Sequence, residues 1–127
     1  MNGLRTGNFT RHATILFLLL LIGLSRANGQ FEVIFADPVY VQKLAGHVQD
    51  PTGGEIENAK IELFDIRTGK LIASTMTNSK GNFAFKDFGR SAYKLKIFRP
   101  GFNIVIVTIK ILKKNASPAI FTLPIAA

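Results

Sequence analysis

The stretch from Gly46 to Phe102 is a series of short runs in which apolar and polar residues alternate, and most of these runs end in a turn that contains glycine. Alternation with a period of two is typical of a β-strand that has one face in a core and the other in water. Glycine, proline, asparagine and aspartate are the residues that tight turns favour. Because no segment shows a sustained 3.6-residue period, the sequence predicts an all-β fold and excludes a helical one.

The runs are spaced as in a β-sandwich, with a turn about every 8 to 12 residues. We therefore predict a seven-stranded Greek-key β-sandwich. The sixth run, FNIVIVTIKI, is apolar at successive positions from Ile104 until Thr108, so we expect a central strand that is covered on both faces near its start. The seven predicted strands lie near residues 44–49, 59–63, 71–77, 83–85, 93–97, 102–111 and 120–125.

The first 29 residues have the layout of a cleavable signal peptide. A basic head with two arginines precedes an apolar centre, Ile15–Leu24, and the small residues Ala27 and Gly29 follow before Gln30. Ten apolar residues in a helix reach only about 15 Å, against a hydrocarbon core of roughly 30 Å, which argues against an uncleaved membrane anchor. We expect a secreted or periplasmic protein of the cell envelope, with no stable transmembrane segment after cleavage.

The 127 residues have room for one domain, which we place at residues 43–127. Residues 30–42 precede it as an N-terminal arm or an edge strand, interrupted at Asp37-Pro38. The chain has no cysteine, which excludes disulfides, thiolate metal sites and a lipid-modified cysteine at the cleavage site. Stability must therefore come from packing.

The net charge bears on the kind of partner. The formal net charge of +8 includes three arginines of the signal peptide, so the mature chain carries 13 basic and 8 acidic residues, or about +5. A surplus of this size is typical of a solvated surface and argues against nucleic acid as a partner. Contact with anionic glycan or lipid head groups stays open because of two groups of lysines. The first is Lys110, Lys113 and Lys114, and the second is Lys94 and Lys96.

Seven short segments in order resemble the carboxypeptidase regulatory-like domains, which are transthyretin-like, immunoglobulin-like sandwiches also classed with the carbohydrate-binding-like fold. The resemblance implies a noncatalytic module of the kind found beside carboxypeptidases, outer-membrane receptors and glycan-active enzymes. The segments are Gly46-His47-Val48-Gln49-Asp50, Gly53, Asn58-Ala59-Lys60-Ile61, Thr68-Gly69, Gly81-Asn82-Phe83-Ala84-Phe85, Tyr93-Lys94-Leu95 and Pro100-Gly101-Phe102.

Most residues in these segments have a structural interpretation. We expect positive φ or close backbone approach at four glycines, Gly53, Gly69, Gly81 and Gly101. We expect core positions at Phe83, Phe85, Leu95 and Ile97. For Tyr93 two interpretations stay open: its hydroxyl can bond back to a loop, as in Greek-key sandwiches, or the ring simply packs in the core.

The sequence predicts no enzyme: no catalytic residue, no cofactor and no metal site. His47 is the one histidine after the signal peptide, which is too few for the zinc site of a metallocarboxypeptidase, and we expect it on the surface. No nucleophile-elbow motif surrounds any candidate serine, namely Ser74, Ser79, Ser91 and Ser117.

The acidic residues do not form a recognisable site either. Asp50, Glu55 and Glu57 flank a glycine turn but match no calcium-loop spacing, so turn chemistry is the favoured interpretation. Glu62 lies on the solvent face of a predicted strand, while Asp65 and Asp87 lie in turns.

Two functional hypotheses follow. The first is an exported module that binds a ligand, with carbohydrate as the candidate, through loops at one end of the sandwich. Its sugar-stacking residues would be the aromatics that the core does not need, namely Tyr40, Phe64, Phe88 and Phe98. The alternative is a structural or interaction protein that pairs with itself or with an envelope protein through an exposed edge strand or an apolar face. FNIVIVTIKI motivates it, because the second apolar face of this run is either covered within the fold or offers a surface to a partner.

Overall fold

The structure is a computed structural model that describes residues 31–112 and 119–127. Within it, residues 32–126 form one compact unit. The predicted signal peptide lies outside the described residues, as do Lys113, Lys114 and Ser117.

The described residues contain nine β-strands and no helix, so the prediction of an all-β chain is confirmed. The strands are β1 (Val33–Phe35), β2 (Val39–Val41), β3 (Ala45–Gln49), β4 (Lys60–Asp65), β5 (Leu71–Met76), β6 (Asn82–Ala84), β7 (Ala92–Phe98), β8 (Ile104–Ile111) and β9 (Ala119–Thr122).

The larger sheet has six strands in the order β1-β8-β7-β4-β5, and β2 also pairs with β8. The strands β1 and β2 lie one after the other along the same side of β8, both parallel to it, with Val33 opposite Ile104 and Val39 opposite Ile109. The predicted count of seven strands is wrong by these two. Pro38, which has no N–H to donate, separates them, and three-residue strands are too short to show an alternating pattern.

The smaller sheet has three strands in the order β6-β3-β9. Here β3 pairs antiparallel with β6 and parallel with β9. The two sheets form a sandwich-like fold whose core is built from the alternate, inward-facing residues of the strands. Fully buried side chains of the core include Val48, Ile61, Leu63, Tyr93, Leu95, Ile97 and Leu123.

The predicted core positions agree with this arrangement. Phe83, Leu95 and Ile97 are buried, and Phe85 is half-buried and packs against the core. The Phe83 ring lies between Phe85 and Phe121, with centroids 6.1 Å and 6.0 Å away. In β8, Ile104 and Val105 are both buried although they face opposite sides of the sheet. The prediction that this strand is central and covered on both faces near its start is therefore confirmed.

The turns follow the predicted glycine chemistry. All four glycines singled out in the sequence have positive φ, between 72° and 91°. At Gly81 a side chain would also collide with the backbone, because an added Cβ would lie 2.6 Å from the carbonyl oxygen of Val48. Glycine at this position is therefore required both by the turn and by the approach of β3.

Candidate functional site

The outer face of the larger sheet, the face turned away from the core, carries aromatic and lysine side chains in direct cross-strand pairs. In β4 the buried Ile61 and Leu63 alternate with outward residues, and in β7 the exposed Lys94 lies between the buried Tyr93 and Leu95. The register opposes an aromatic ring and a lysine three times: Tyr40 with Lys110, Phe64 with Lys94 and Phe98 with Lys60.

Three of the four aromatic residues that the sequence analysis did not assign to the core lie on this face. Tyr40 is half exposed, and Phe64 and Phe98 are partly covered. The Lys110 ammonium lies 5.8 Å from the centroid of the Tyr40 ring, within range of a cation–π interaction. Phe88 is the exception, because it lies in the connection between β6 and β7 and packs against the core.

A shallow groove of about 210 Å³ lies on the outer face beside Phe64. The β4–β5 turn forms one side of it, and side chains of β7 and β8 form the other. Its lining residues are Phe64, Asp65, Ile66, Gly69, Lys94, Lys96 and Ile106.

The ionic groups of the groove are mostly paired. Lys96 Nζ lies 3.7 Å from Glu62 Oε1 on the neighbouring strand, and Asp65 Oδ2 lies 3.5 Å from Arg90 Nε. Lys94 differs, because within the described residues it makes no ion pair with an acidic side chain. It is the cation of the groove that is left available to an anion.

Asp65 is held as an acceptor in the β4–β5 turn. The backbone N–H groups of Arg67 and Thr68 donate to its Oδ1 at 2.8 and 3.1 Å. These hydrogen bonds, together with the positive charge of Arg90, lower the pKa of Asp65 below its usual value. The carboxyl is therefore an ionised turn residue and not a proton donor.

A second pocket, of about 280 Å³, lies where the β2–β3 and β6–β7 connections meet. Its walls include Lys43, Leu44, Phe85, Asp87 and Ile111. Close to it, the Lys86 ammonium lies 5.4 Å from the centroid of the Phe88 ring. Phe88 and the outer-face aromatics thus belong to separate parts of the molecule.

The remaining candidates of the sequence analysis are held by local structure. His47 Nδ1 hydrogen-bonds Asn82 Oδ1 at 2.9 Å on the outer face of the smaller sheet, and not a serine. Asp50 Oδ1 accepts from the N–H and hydroxyl of Thr52 and from the N–H of Gly54. Glu55 and Glu57 are exposed.

Within residues 31–112 and 119–127, no cluster of three or more histidine, cysteine, aspartate or glutamate side chains is arranged to bind a metal ion. The same residues include no helix of the length and apolarity needed to cross a bilayer. The outer face of the larger sheet, with its three aromatic–lysine pairs, is the candidate site.

The sequence predicted the components of this surface but not their arrangement. The lysines of β7 and the spare aromatics were each identified from their own strands. Which lysine opposes which ring depends on the pairing of β4 with β7 and of β2 with β8, and strand order cannot be deduced from periodicity. The parallel pairing of β2, which brings Tyr40 to this face, had no recognisable sequence signal.

Two packed sheets joined by hydrogen-bonded turns define the chain as a β-sandwich module. It belongs to the carboxypeptidase regulatory-like domain family, whose sequence model matches residues 43–124. Members of this family are noncatalytic modules, and the resemblance seen in the sequence is confirmed. Among solved structures, the Bacillus anthracis TIE protein is similar, with a TM-score of 0.41 and 18% identity over 66% of this chain and 16% of that one. No curated protein matches the chain.

Proposed function

We propose that this chain is an exported, noncatalytic module of the cell envelope that binds carbohydrate on the outer face of its larger sheet. The observation that carries the proposal is the set of three aromatic–lysine pairs on one exposed face, formed by Tyr40, Phe64 and Phe98 with their lysine partners. Membership of a noncatalytic family supports the absence of an enzymatic role.

The chemistry of the face suits a sugar. A sugar ring has an apolar face of C–H groups and a rim of hydroxyls, so it packs on an aromatic ring while its rim accepts hydrogen bonds from nearby donors. Phe64 supplies such a ring beside a groove, and the ammonium groups of Lys94 and Lys96 supply donors at the rim. A groove that lies open along a sheet also admits a polymer, which an enclosed pocket does not.

Export is supported by the order of basic head, apolar centre and small residues in residues 1–29. We expect the protein recovered from an envelope or culture fraction to begin near Gln30. N-terminal sequencing of that material tests this part of the proposal, and an intact N-terminus in a cytosolic fraction would refute it.

Binding is tested by affinity electrophoresis of residues 30–127 in gels that contain a panel of soluble polysaccharides. The variant Phe64→Ala should bind at least about fivefold more weakly, a loss of about 1 kcal/mol, because it removes the apolar ring surface on which the sugar packs. The matched control is Ile120→Ala, which removes a 61% exposed side chain from the outer face of the smaller sheet. Failure of the wild-type protein to bind any polysaccharide would refute carbohydrate binding.

A second candidate function, pairing with another copy or with an envelope protein, is favoured by the free edge at β5. This terminal strand, LIASTM, has no charged residue, and Leu71 and Met76 at its ends are more than half exposed. Natural edge strands usually carry charge or proline that prevents pairing. Light scattering of wild type and Leu71→Lys at rising concentration tests this candidate, and a wild type that stays monomeric throughout would contradict self-pairing.

A further inference from the structure

We propose that the carbohydrate is acidic, and that Lys94 binds the carboxylate of a sugar whose ring packs on Phe64. This inference rests on the proposed function and specifies its ligand class. It places one uronic acid unit of a polysaccharide in the groove between the β4–β5 turn and Ile106.

The first argument is the charge of the outer face. Among the described residues, four lysines project from its strands, Lys60, Lys94, Lys96 and Lys110, against Glu62. The groove also holds Asp65, whose charge is offset by Arg90. The excess of three positive charges is concentrated on one face of a chain whose mature charge is only about +5. Such a surface attracts polyanions and holds neutral polymers no better than an uncharged one would.

The second argument is which charged side chains of the groove already have a partner. Lys96 is engaged by Glu62, and Asp65 is engaged by the β4–β5 turn and by Arg90. Lys94 is exposed and makes no ion pair with an acidic side chain in the part of the chain that the structure describes. Since its cross-strand neighbour is Phe64, one sugar unit reaches both the ring and the ammonium group.

The third argument is the shape of the site. Its volume of about 210 Å³ is smaller than the roughly 300–1,000 Å³ of pockets that enclose a small molecule. The groove therefore accommodates one ring of a longer chain, with the rest of the chain lying over the sheet.

An anionic membrane fits the face less well. Phe64 and Phe98 are partly covered by their neighbours, whereas side chains that insert into a bilayer are exposed. Glu62 lies in the middle of the face, where it would oppose a negatively charged bilayer. A polysaccharide chain passes over these residues and contacts the lysines on either side of Glu62.

The experiment compares three acidic polysaccharides, polygalacturonate, alginate and hyaluronate, with the same polymers after methyl esterification. Esterification removes the charge and keeps the sugar rings. We expect residues 30–127 to bind at least one acidic polymer about tenfold more tightly than its ester, with a difference that shrinks as salt rises. Lys94→Gln should weaken binding to the acidic polymer about fivefold and binding to the ester by less, because the amide still donates hydrogen bonds to hydroxyls but carries no charge. Lys94→Arg should retain most of the affinity.

The matched control is Lys80→Gln, which removes the same charge from the exposed turn between β5 and β6 and should leave binding unchanged. Circular dichroism of each variant verifies that the fold is intact. Equal binding of acidic and esterified polymers would overturn the inference and leave carbohydrate binding in place. Binding of neither kind would overturn both. Binding to phosphatidylglycerol vesicles without binding to any acidic polymer would also overturn it and assign the face to lipid.

Discussion

The backbone N–H of Arg90 donates a 3.0 Å hydrogen bond to the hydroxyl oxygen of Tyr93, three residues further along the chain. Tyr93 is completely buried, and the side chain of Arg90 contacts Asp65 of the neighbouring turn. The bond therefore ties the connection between β6 and β7 to the core. Of the two interpretations that the sequence left open for Tyr93, the loop bond is present and the ring packs in the core as well.

We expect Tyr93→Phe to lower the free energy of unfolding by about 1 kcal/mol, because the variant keeps the buried ring and removes the acceptor for the Arg90 N–H. Urea unfolding measures the difference. Tyr40→Phe is the control, since it removes a hydroxyl from the half-exposed ring of β2 and should leave stability unchanged. Equal losses in the two variants would show that the Arg90 bond contributes nothing specific.

Variants of Gly81 and Gly101 distinguish the cost of backbone strain from the cost of a steric collision. Both have positive φ, at 76° and 91°, but an added Cβ at Gly101 would have no neighbour within 4 Å. We expect Gly101→Ala to cost about 1 kcal/mol through strain alone. Gly81→Ala should cost clearly more, because the carbonyl of Val48 that it would strike already accepts a hydrogen bond from Ile56 N–H and is not free to move. Thermal or urea unfolding that ranks the two variants equally would contradict the collision.

Phe83 tests the packing between the sheets. Its ring contacts both Phe85 and Phe121, and Gly46 lies so close that an added Cβ there would come within 2.9 Å of the Phe83 ring. We expect Phe83→Ala to lower the free energy of unfolding by about 3–5 kcal/mol, the usual cost of an unfilled aromatic cavity. Ile120→Ala, on the exposed face of the smaller sheet, should change it by less than about 0.5 kcal/mol. A near-neutral Phe83→Ala would place this ring outside the core.

The sequence predicted those parts of the fold that depend on local chemistry. Alternation placed Leu95 and Ile97 inside, and the turn chemistry identified positive φ at Gly81. For residues 30–42 the sequence left an arm or one edge strand open and did not predict two strands, β1 and β2. Their parallel pairing depends on a partner, β8, that lies about 70 residues away along the chain. Sequence reasoning also missed Asn58, a non-glycine residue with a φ of 59°, whose backbone N–H donates to the carbonyl of Thr77, 19 residues further along the chain.

In the candidate site, too, local features could be predicted from the sequence and contacts between strands could not. That Lys94 and Lys96 face solvent could be deduced from alternation within β7. That Phe64 lies beside Lys94 could not, because it requires the register between β4 and β7. A binding surface formed across strands is therefore harder to predict from a sequence than the strands themselves.

Asp50 gives the fold a dependence on pH that can be derived from its turn. The Thr52 hydroxyl and the Gly54 N–H donate to its carboxylate, in that order of effect, and lower the pKa of Asp50 below its ordinary value of 3.8. A carboxyl whose pKa is lower in the folded than in the unfolded chain stabilises the fold above the unfolded pKa, and that stabilisation is lost as pH falls through the folded pKa. We expect the free energy of unfolding to fall with pH below about 4 for this reason.

The variant Asp50→Asn isolates this effect, because the amide oxygen still accepts the hydrogen bonds of Thr52 and Gly54 but carries no titrating charge. Urea unfolding from about pH 6 to pH 2 should show wild type more stable at the upper end and the two curves converging at the lower end. Thr52→Val, which removes the hydroxyl donor and keeps the side-chain shape, should give a pH dependence between the two. A constant difference between wild type and Asp50→Asn across the range would mean that the charge of Asp50 does not stabilise the turn.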